Sequence, residues 1–101
     1  MSGKNSNENT LELPTIAKAN PDAVEVLRVW AAPGSPHQLT LRTTWKKPGA
    51  WGLLLVDIAR HAAKAYGKEG KDPKIVLATI REFFEKEWAS PTDEPKDITP
   101  Q

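Results

Sequence analysis

Proline–glycine punctuation constrains this chain more than any other feature. Pro33-Gly34-Ser35-Pro36, Pro48-Gly49, and Gly67 followed by Asp72-Pro73 cut it into segments whose hydrophobic period changes from one to the next. Proline fixes its own φ and has no backbone N–H to donate, and glycine adopts backbone conformations other residues avoid, so neither a strand nor a helix is expected to run through these points. Ahead of the first cut, and after the turn signal Asn20-Pro21-Asp22, the segment AVEVLRVWA is rich in β-branched and aromatic residues and predicts a strand over Val24 to Ala31. Beyond the cut, QLTLRTTW alternates, with Leu39, Leu41, Thr43 and Trp45 on one face and Thr40, Arg42 and Thr44 on the other. The two runs predict an antiparallel hairpin.

After Pro48-Gly49 the period becomes helical. Trp51, Leu54, Leu55, Ile58, Ala62 and Tyr66 fall on one stripe, and Gly67 is placed to close the last turn in a left-handed conformation. Asp72-Pro73 is a start signal, because the carboxylate can accept from a free amide and proline loses nothing at the first helical position. The second helix is expected to reach about Trp88. Its apolar set is drawn from Val76, Ile80, Phe83, Phe84 and Trp88, and Arg81 with Glu85 and Glu82 with Lys86 are paired outward. The expected fold class is α+β: an antiparallel β-hairpin followed by two α-helices, β-β-α-α, with both helices packed on one face of the sheet.

With 101 residues the chain has room for one such domain, here taken as residues 23–89 between a flexible amino-terminal arm, 1–22, and a flexible tail, 90–101. A folded part this small buries only roughly 60% of its unfolded surface, so large side chains or a partner must help it. The chain has no cysteine, which removes disulfides and thiol chemistry, and its net charge of +1 gives no overall field to attract nucleic acid or an anionic membrane. No run approaches the length of a membrane span and the first residues lack the apolar stretch of a signal peptide, so a cytoplasmic, bacterial-type setting is expected.

Two sets of residues could carry function. On the first helix Asp57 and His61 stand four apart with Arg60 and Lys64 nearby. An aspartate can orient a histidine for base catalysis or metal binding, yet a nucleophile or two further ligands would be needed, and His37 is the one other histidine. A solvated or contact-making face is the simpler reading. The second set is aromatic and basic: Arg28, Trp30, Arg42, Trp45, Lys46, Lys47 and Trp51 cluster on the hairpin and the turn after it, a mixture that single-stranded nucleic acids are recognised by. Helical phase for Trp51 and Trp88 and strand phase for Trp45 point instead to packing, whereas Trp30 shares its strand face with Arg28 and is expected at the outer surface or an interface. Motifs of the form GxxxxGK, GxGxxG, HExxH and GxSxG are absent.

The blocks PDAVEVLRVW, AWGLLLVDIARHAAKAYG and IREFFEKEWASPTD together resemble a family of short alphaproteobacterial domains of unknown function, over about residues 20–93. The resemblance implies a cytosolic origin and brings no catalytic residue or ligand with it. The expectation is therefore a non-enzymatic protein-interaction domain without cofactor or metal. It is expected to self-associate as a homodimer through its hairpin and to present Arg28, Trp30, Arg42, Asp57, Arg60, His61 and Lys64 to a protein partner. The alternative is a weak nucleic-acid-binding module built on the basic, aromatic hairpin.

Overall fold

A computed structural model of the chain describes residues 9–92. The first eight residues of the expected arm and the tail from residue 93 lie outside the described residues. The order is α1 (Thr15–Ala19), β1 (Leu27–Ala32), β2 (Ser35–Leu41), α2 (Gly49–Lys68) and α3 (Pro73–Ala89). This is the expected α+β succession of an antiparallel hairpin and two helices, with a five-residue helix before it that the sequence pattern does not signal. No helix among the described residues is long and apolar enough to cross a membrane. The chain divides between Arg42 and Thr43 into two compact units, and each is described by itself.

In the first unit the turn at Asn20 forms as its residues dictate: the Asn20 side chain accepts from the Asp22 amide at 2.9 Å and its carbonyl accepts from Ala23 at 3.0 Å. The strands begin and end later and earlier, respectively, than the alternation suggests. β1 starts at Leu27, three residues after Val24, and β2 runs Ser35–Leu41, leaving Thr43 and Trp45 outside it. Thr44 explains the early end. Its φ of 59° is left-handed, and Trp45 N–H returns to Thr43 C=O at 2.5 Å, a tight γ-turn that turns the chain out of the extended conformation. Across the hairpin Leu27 faces Leu41, Arg28 faces Thr40, Val29 faces Leu39 and Trp30 faces Gln38. The loop is Pro33-Gly34, with Gly34 at φ 76°, the arrangement a type II turn requires. Between the Trp30–Gln38 and Ala32–Ser35 pairs one residue of β1 opposes two of β2, so the bulge lies in β2 at Pro36-His37. A proline cannot donate to a ladder, and a bulge is where a strand accommodates one.

In the second unit α2 and α3 form a helical hairpin whose connection is determined by local chemistry. Gly70, at φ 100°, is the left-handed residue that ends α2, with Lys71 N–H bonded to Tyr66 C=O and Gly70 N–H to Gly67 C=O, both at 3.1 Å. Gly67 is therefore not the terminator expected from its position. It is the last helical turn's point of close approach, since a Cβ there would sit 2.7 Å from the Pro73 ring. Asp72 caps α3 as expected, its carboxylate accepting from Lys74 N–H at 2.9 Å, with Pro73 in the first helical position.

Ala63 is the one buried residue among those described, and Trp51, Leu54, Ala59 and Ala62 of the same helix are half-buried. Leu55, Ile58 and Tyr66, expected on this stripe, are exposed. On α3 the half-buried residues are Val76, Leu77 and Ile80, while Phe83, Phe84 and Trp88 stay open, Trp88 at 75%. The apolar spacing identified which side chains share a face, and among the described residues that face is only partly covered. The outward ion pairs form as expected, Arg81 with Glu85 at 2.9 Å and Lys86 with Glu82 at 3.2 Å.

Candidate interaction surfaces

The hairpin brings three of the expected contact residues together. Opposite residues of an antiparallel pair share a face, so Arg28, Trp30, Gln38 and Thr40 line one side, and Leu27, Val29, Leu39 and Leu41 the other. The Arg42 amide donates to Val26 C=O at 2.9 Å and carries the register one pair further, onto the Arg28–Trp30 side. Glu25 organises the cations there. Its carboxylate meets Arg28 Nη2 at 2.8 Å and its carbonyl accepts from Arg42 Nε at 2.9 Å. The cationic side is exposed, Trp30 at 45%, whereas on the aliphatic side Val29 is 52% exposed and Leu27, Leu39 and Leu41 are half-buried. Trp30 is thus at a surface, as its pairing with Arg28 on one face suggested.

Trp45, expected on the second strand, is placed differently. Trp45 lies beyond β2 and meets Trp51 edge to face, 5.7 Å between ring centres and 74° between planes, while the Trp51 indole N–H donates to Thr43 C=O at 3.2 Å. These tryptophans hold the start of α2 to the turn before it.

Asp57, Arg60, His61 and Lys64 all lie exposed on α2. His61 Nδ1 is 2.8 Å from the Asp57 backbone carbonyl and 3.4 Å from its carboxylate. A carbonyl oxygen only accepts, so Nδ1 carries the proton and donates. The histidine is thereby tied to its own helix in a solvated position. No group of three or more His, Cys, Asp or Glu able to hold a metal ion occurs among the described residues.

An open groove of about 520 Å³, which sequence reasoning did not identify, lies at the helical junction, lined by Tyr66, Lys71, Asp72, Ile75, Thr79 and Ile80 among others. Ile75 is outside the seam-facing phase of α3, and Thr79 returns its hydroxyl to Ile75 C=O at 2.8 Å. The signal was Tyr66, an aromatic at the end of the α2 stripe one turn from the connection.

Residues 10–92 match a domain of unknown function, DUF5076. The chain belongs to the DUF5076 family. The resemblance carried by its strand and helix blocks is thereby confirmed at the level of an uncharacterised family. A solved structure from the photosynthetic bacterium Rhodopseudomonas palustrus CGA009, described as a candidate pyruvate dehydrogenase, is similar to this DUF5076 domain. The likeness covers 90% of this chain and 94% of that one at 38% identity, with a TM-score of 0.73. No curated protein matches.

Proposed function

We propose that this DUF5076 domain is a non-enzymatic protein-interaction module that self-associates through its hairpin in a cytoplasmic setting. The observation that carries the reading is that a two-stranded sheet leaves large side chains open on both sides, Val29 on one and Trp30 on the other. A two-stranded hairpin is marginal in water, and further strands or a packed cover are what stabilise one. The exposed Phe83, Phe84 and Trp88 on α3 make the same demand for contact, and Asp57, Arg60, His61 and Lys64 supply a charged face suited to the rim of an interface.

Two other classes have less support. Oxidation of a 2-oxo acid, the activity named for the Rhodopseudomonas structure, draws on a cofactor able to stabilise a carbanion. The sequence contains neither GxxxxGK nor GxGxxG, and Asp57 and His61 lie exposed together on α2. Nucleic-acid binding would use Arg28, Arg42, Lys46 and Lys47 with Trp30 or Trp45; of these cations Arg28 is paired with the Glu25 carboxylate and Arg42 with the Glu25 carbonyl.

Light scattering on the size-exclusion peak tests the proposal: a clean dimeric mass is expected, reduced to monomer in the double variant Arg28→Ala, Trp30→Ala with its circular dichroism unchanged. A monomeric wild-type protein at micromolar concentration overturns self-association, and co-eluting nucleic acid would favour the alternative.

A further inference from the structure

The two edges of the hairpin are not equivalent. β2 contains Pro36 and a bulge, both at its turn end and both working against a neighbouring strand there, whereas the six residues of β1, Leu-Arg-Val-Trp-Ala-Ala, include neither proline nor an irregularity of their own. Among the described residues no strand pairs with the outer edge of β1. Its one charge, Arg28, is drawn towards Glu25. Of the devices that blunt an edge, β2 carries two, and β1 has a single charged residue already engaged.

The hydrogen bonds reveal what that edge presents. The Arg42 amide bonds to Val26 C=O, so Val26 and Arg42 are a hydrogen-bonded pair, and pairs two residues on, Arg28–Thr40 and Trp30–Gln38, are of the same kind. Their backbone groups point at β2. Leu27, Val29 and Ala31 alternate with them and direct N–H and C=O away from β2, at the outer edge.

Resting on the self-association proposed above, we infer that the occupant of this edge is a second copy of β1, antiparallel about a twofold axis at Val29, giving a four-stranded sheet in the order β2-β1-β1-β2. A twofold perpendicular to the sheet keeps each face on its own side, so residues pair odd with odd and even with even. Centring on Val29 makes Val29 face its own copy and Leu27 face Ala31, three pairs in which every outward N–H and C=O of β1 finds a partner. Centring on Arg28 would set two guanidinium groups against each other, and centring on Trp30 would run Leu27 into Pro33, which has no amide to give. The Val29 register instead sets Arg28 across from the partner's Trp30 twice. A guanidinium held edge-on by Glu25 keeps its face available for that indole ring. On the other side, Leu27, Val29, Leu39 and Leu41 of both copies merge into one aliphatic surface.

The chain has no cysteine, so a single introduced thiol reports on one contact. In a hydrogen-bonded pair the Cα atoms lie about 5.5 Å apart, within the span of a disulfide. In this register Leu39 and its copy are separated by three strand spacings, about 14 Å. The protein carrying Val29→Cys should give a disulfide-linked dimer on mild oxidation, and Leu39→Cys should not. Val29→Pro removes an outward amide that β2 does not use, so it should give a monomer with unchanged circular dichroism. A dimeric mass with no Val29→Cys cross-link, or a dimeric Val29→Pro protein, overturns this register while leaving self-association standing; a monomeric wild-type protein overturns both.

Discussion

The helical hairpin and the β-hairpin are each closed by a short loop, but they are completed by different means. At the α2–α3 junction the connection is closed by partners within a few residues: Gly70 turns the chain, Tyr66 and Gly67 carbonyls are capped, Asp72 caps the next helix, and Gly67 lets Pro73 come close. The β-hairpin has an equally local turn at Pro33-Gly34, but among the described residues the outer edge of β1 remains unpaired and Val29 and Trp30 stay exposed on its two sides. A helix satisfies its backbone internally and a strand satisfies only half of it, so local instructions close the helical hairpin and leave the β-hairpin with backbone groups directed outward at its edge.

The largest expected effect tests how tightly the helical junction is determined. In an exposed helix alanine is preferred to glycine by about 1 kcal/mol. At Gly67, however, the new methyl would lie 2.7 Å from the Pro73 ring, and overpacking of this kind costs about 1–3 kcal/mol. Gly67→Ala should therefore destabilise the protein. Combined with Pro73→Ala, which removes the obstructing ring, the same substitution should become stabilising. Urea titration of the four members of this cycle checks the change of sign; a stabilising Gly67→Ala in the Pro73 background would show that the junction yields, and the contrast between the units would lose its basis.

A paired comparison sharpens the contrast next. Gly34 and Gly70 both have positive φ and open space where a Cβ would point, so alanine at either costs backbone strain alone, about 1–2 kcal/mol. If the β-hairpin depends on a second copy, the loss in Gly34→Ala should grow on dilution, because unfolding is then coupled to dissociation, whereas the loss in Gly70→Ala should not. Thermal melts over a hundredfold range of protein concentration read this directly, and equal concentration dependence in the two variants would mean that the units do not differ in this respect.

How much of this was legible in the sequence follows the same division. The Asp72-Pro73 start, the Arg81–Glu85 and Glu82–Lys86 pairs and the Asn20 turn are local, and their residues suffice to specify them. Which of two glycines three apart takes the left-handed conformation is decided by how closely α3 approaches, and the pattern gives no sign of that, hence Gly67 in place of Gly70. Thr44 reads as a strand residue because β-branched side chains favour extended backbone, yet it sits at φ 59° where the chain turns towards the Trp45–Trp51 contact. α1 is five residues long, shorter than any window over which a helical period can be recognised. Of the candidate surface, Arg28 and Trp30 were read on one strand face by alternation, whereas the register that sets Arg42 on the same side is a cross-strand property, and the part of Glu25 in holding both arginines was missed because its bond to Arg42 spans seventeen residues.

Asp72→Ala comes next in size. It leaves the Lys74 amide without its acceptor while Pro73 still shapes the first turn, and loss of such a cap costs about 1 kcal/mol. Asp72→Asn should retain most of that stability, since an amide oxygen accepts as well as a carboxylate does. Circular dichroism melts of the two variants check it, and an equal loss in both would assign the role to charge rather than to the hydrogen bond.

The smallest expected effect concerns the outer face of α3. Arg81 and Glu85 are both more than half exposed, so solvent screens the pair and side-chain ordering offsets most of its attraction. Pairs of this spacing contribute about 0.2–0.5 kcal/mol. Arg81→Ala should lower the urea midpoint barely measurably, and the loss should vanish in molar salt. A loss above about 1 kcal/mol would be too large for an exposed pair and would mean that Arg81 lies against something other than Glu85. Phe84 and Trp88, stacked at 5.5 Å on the same helix and open to solvent, supply the control. If α3 is bare, Trp88→Ala costs little more than Arg81→Ala and the indole fluorescence of this position is quenched by iodide. If a second copy or another protein covers it, the substitution weakens association by far more than it weakens the helix, and the quenching appears only on dilution.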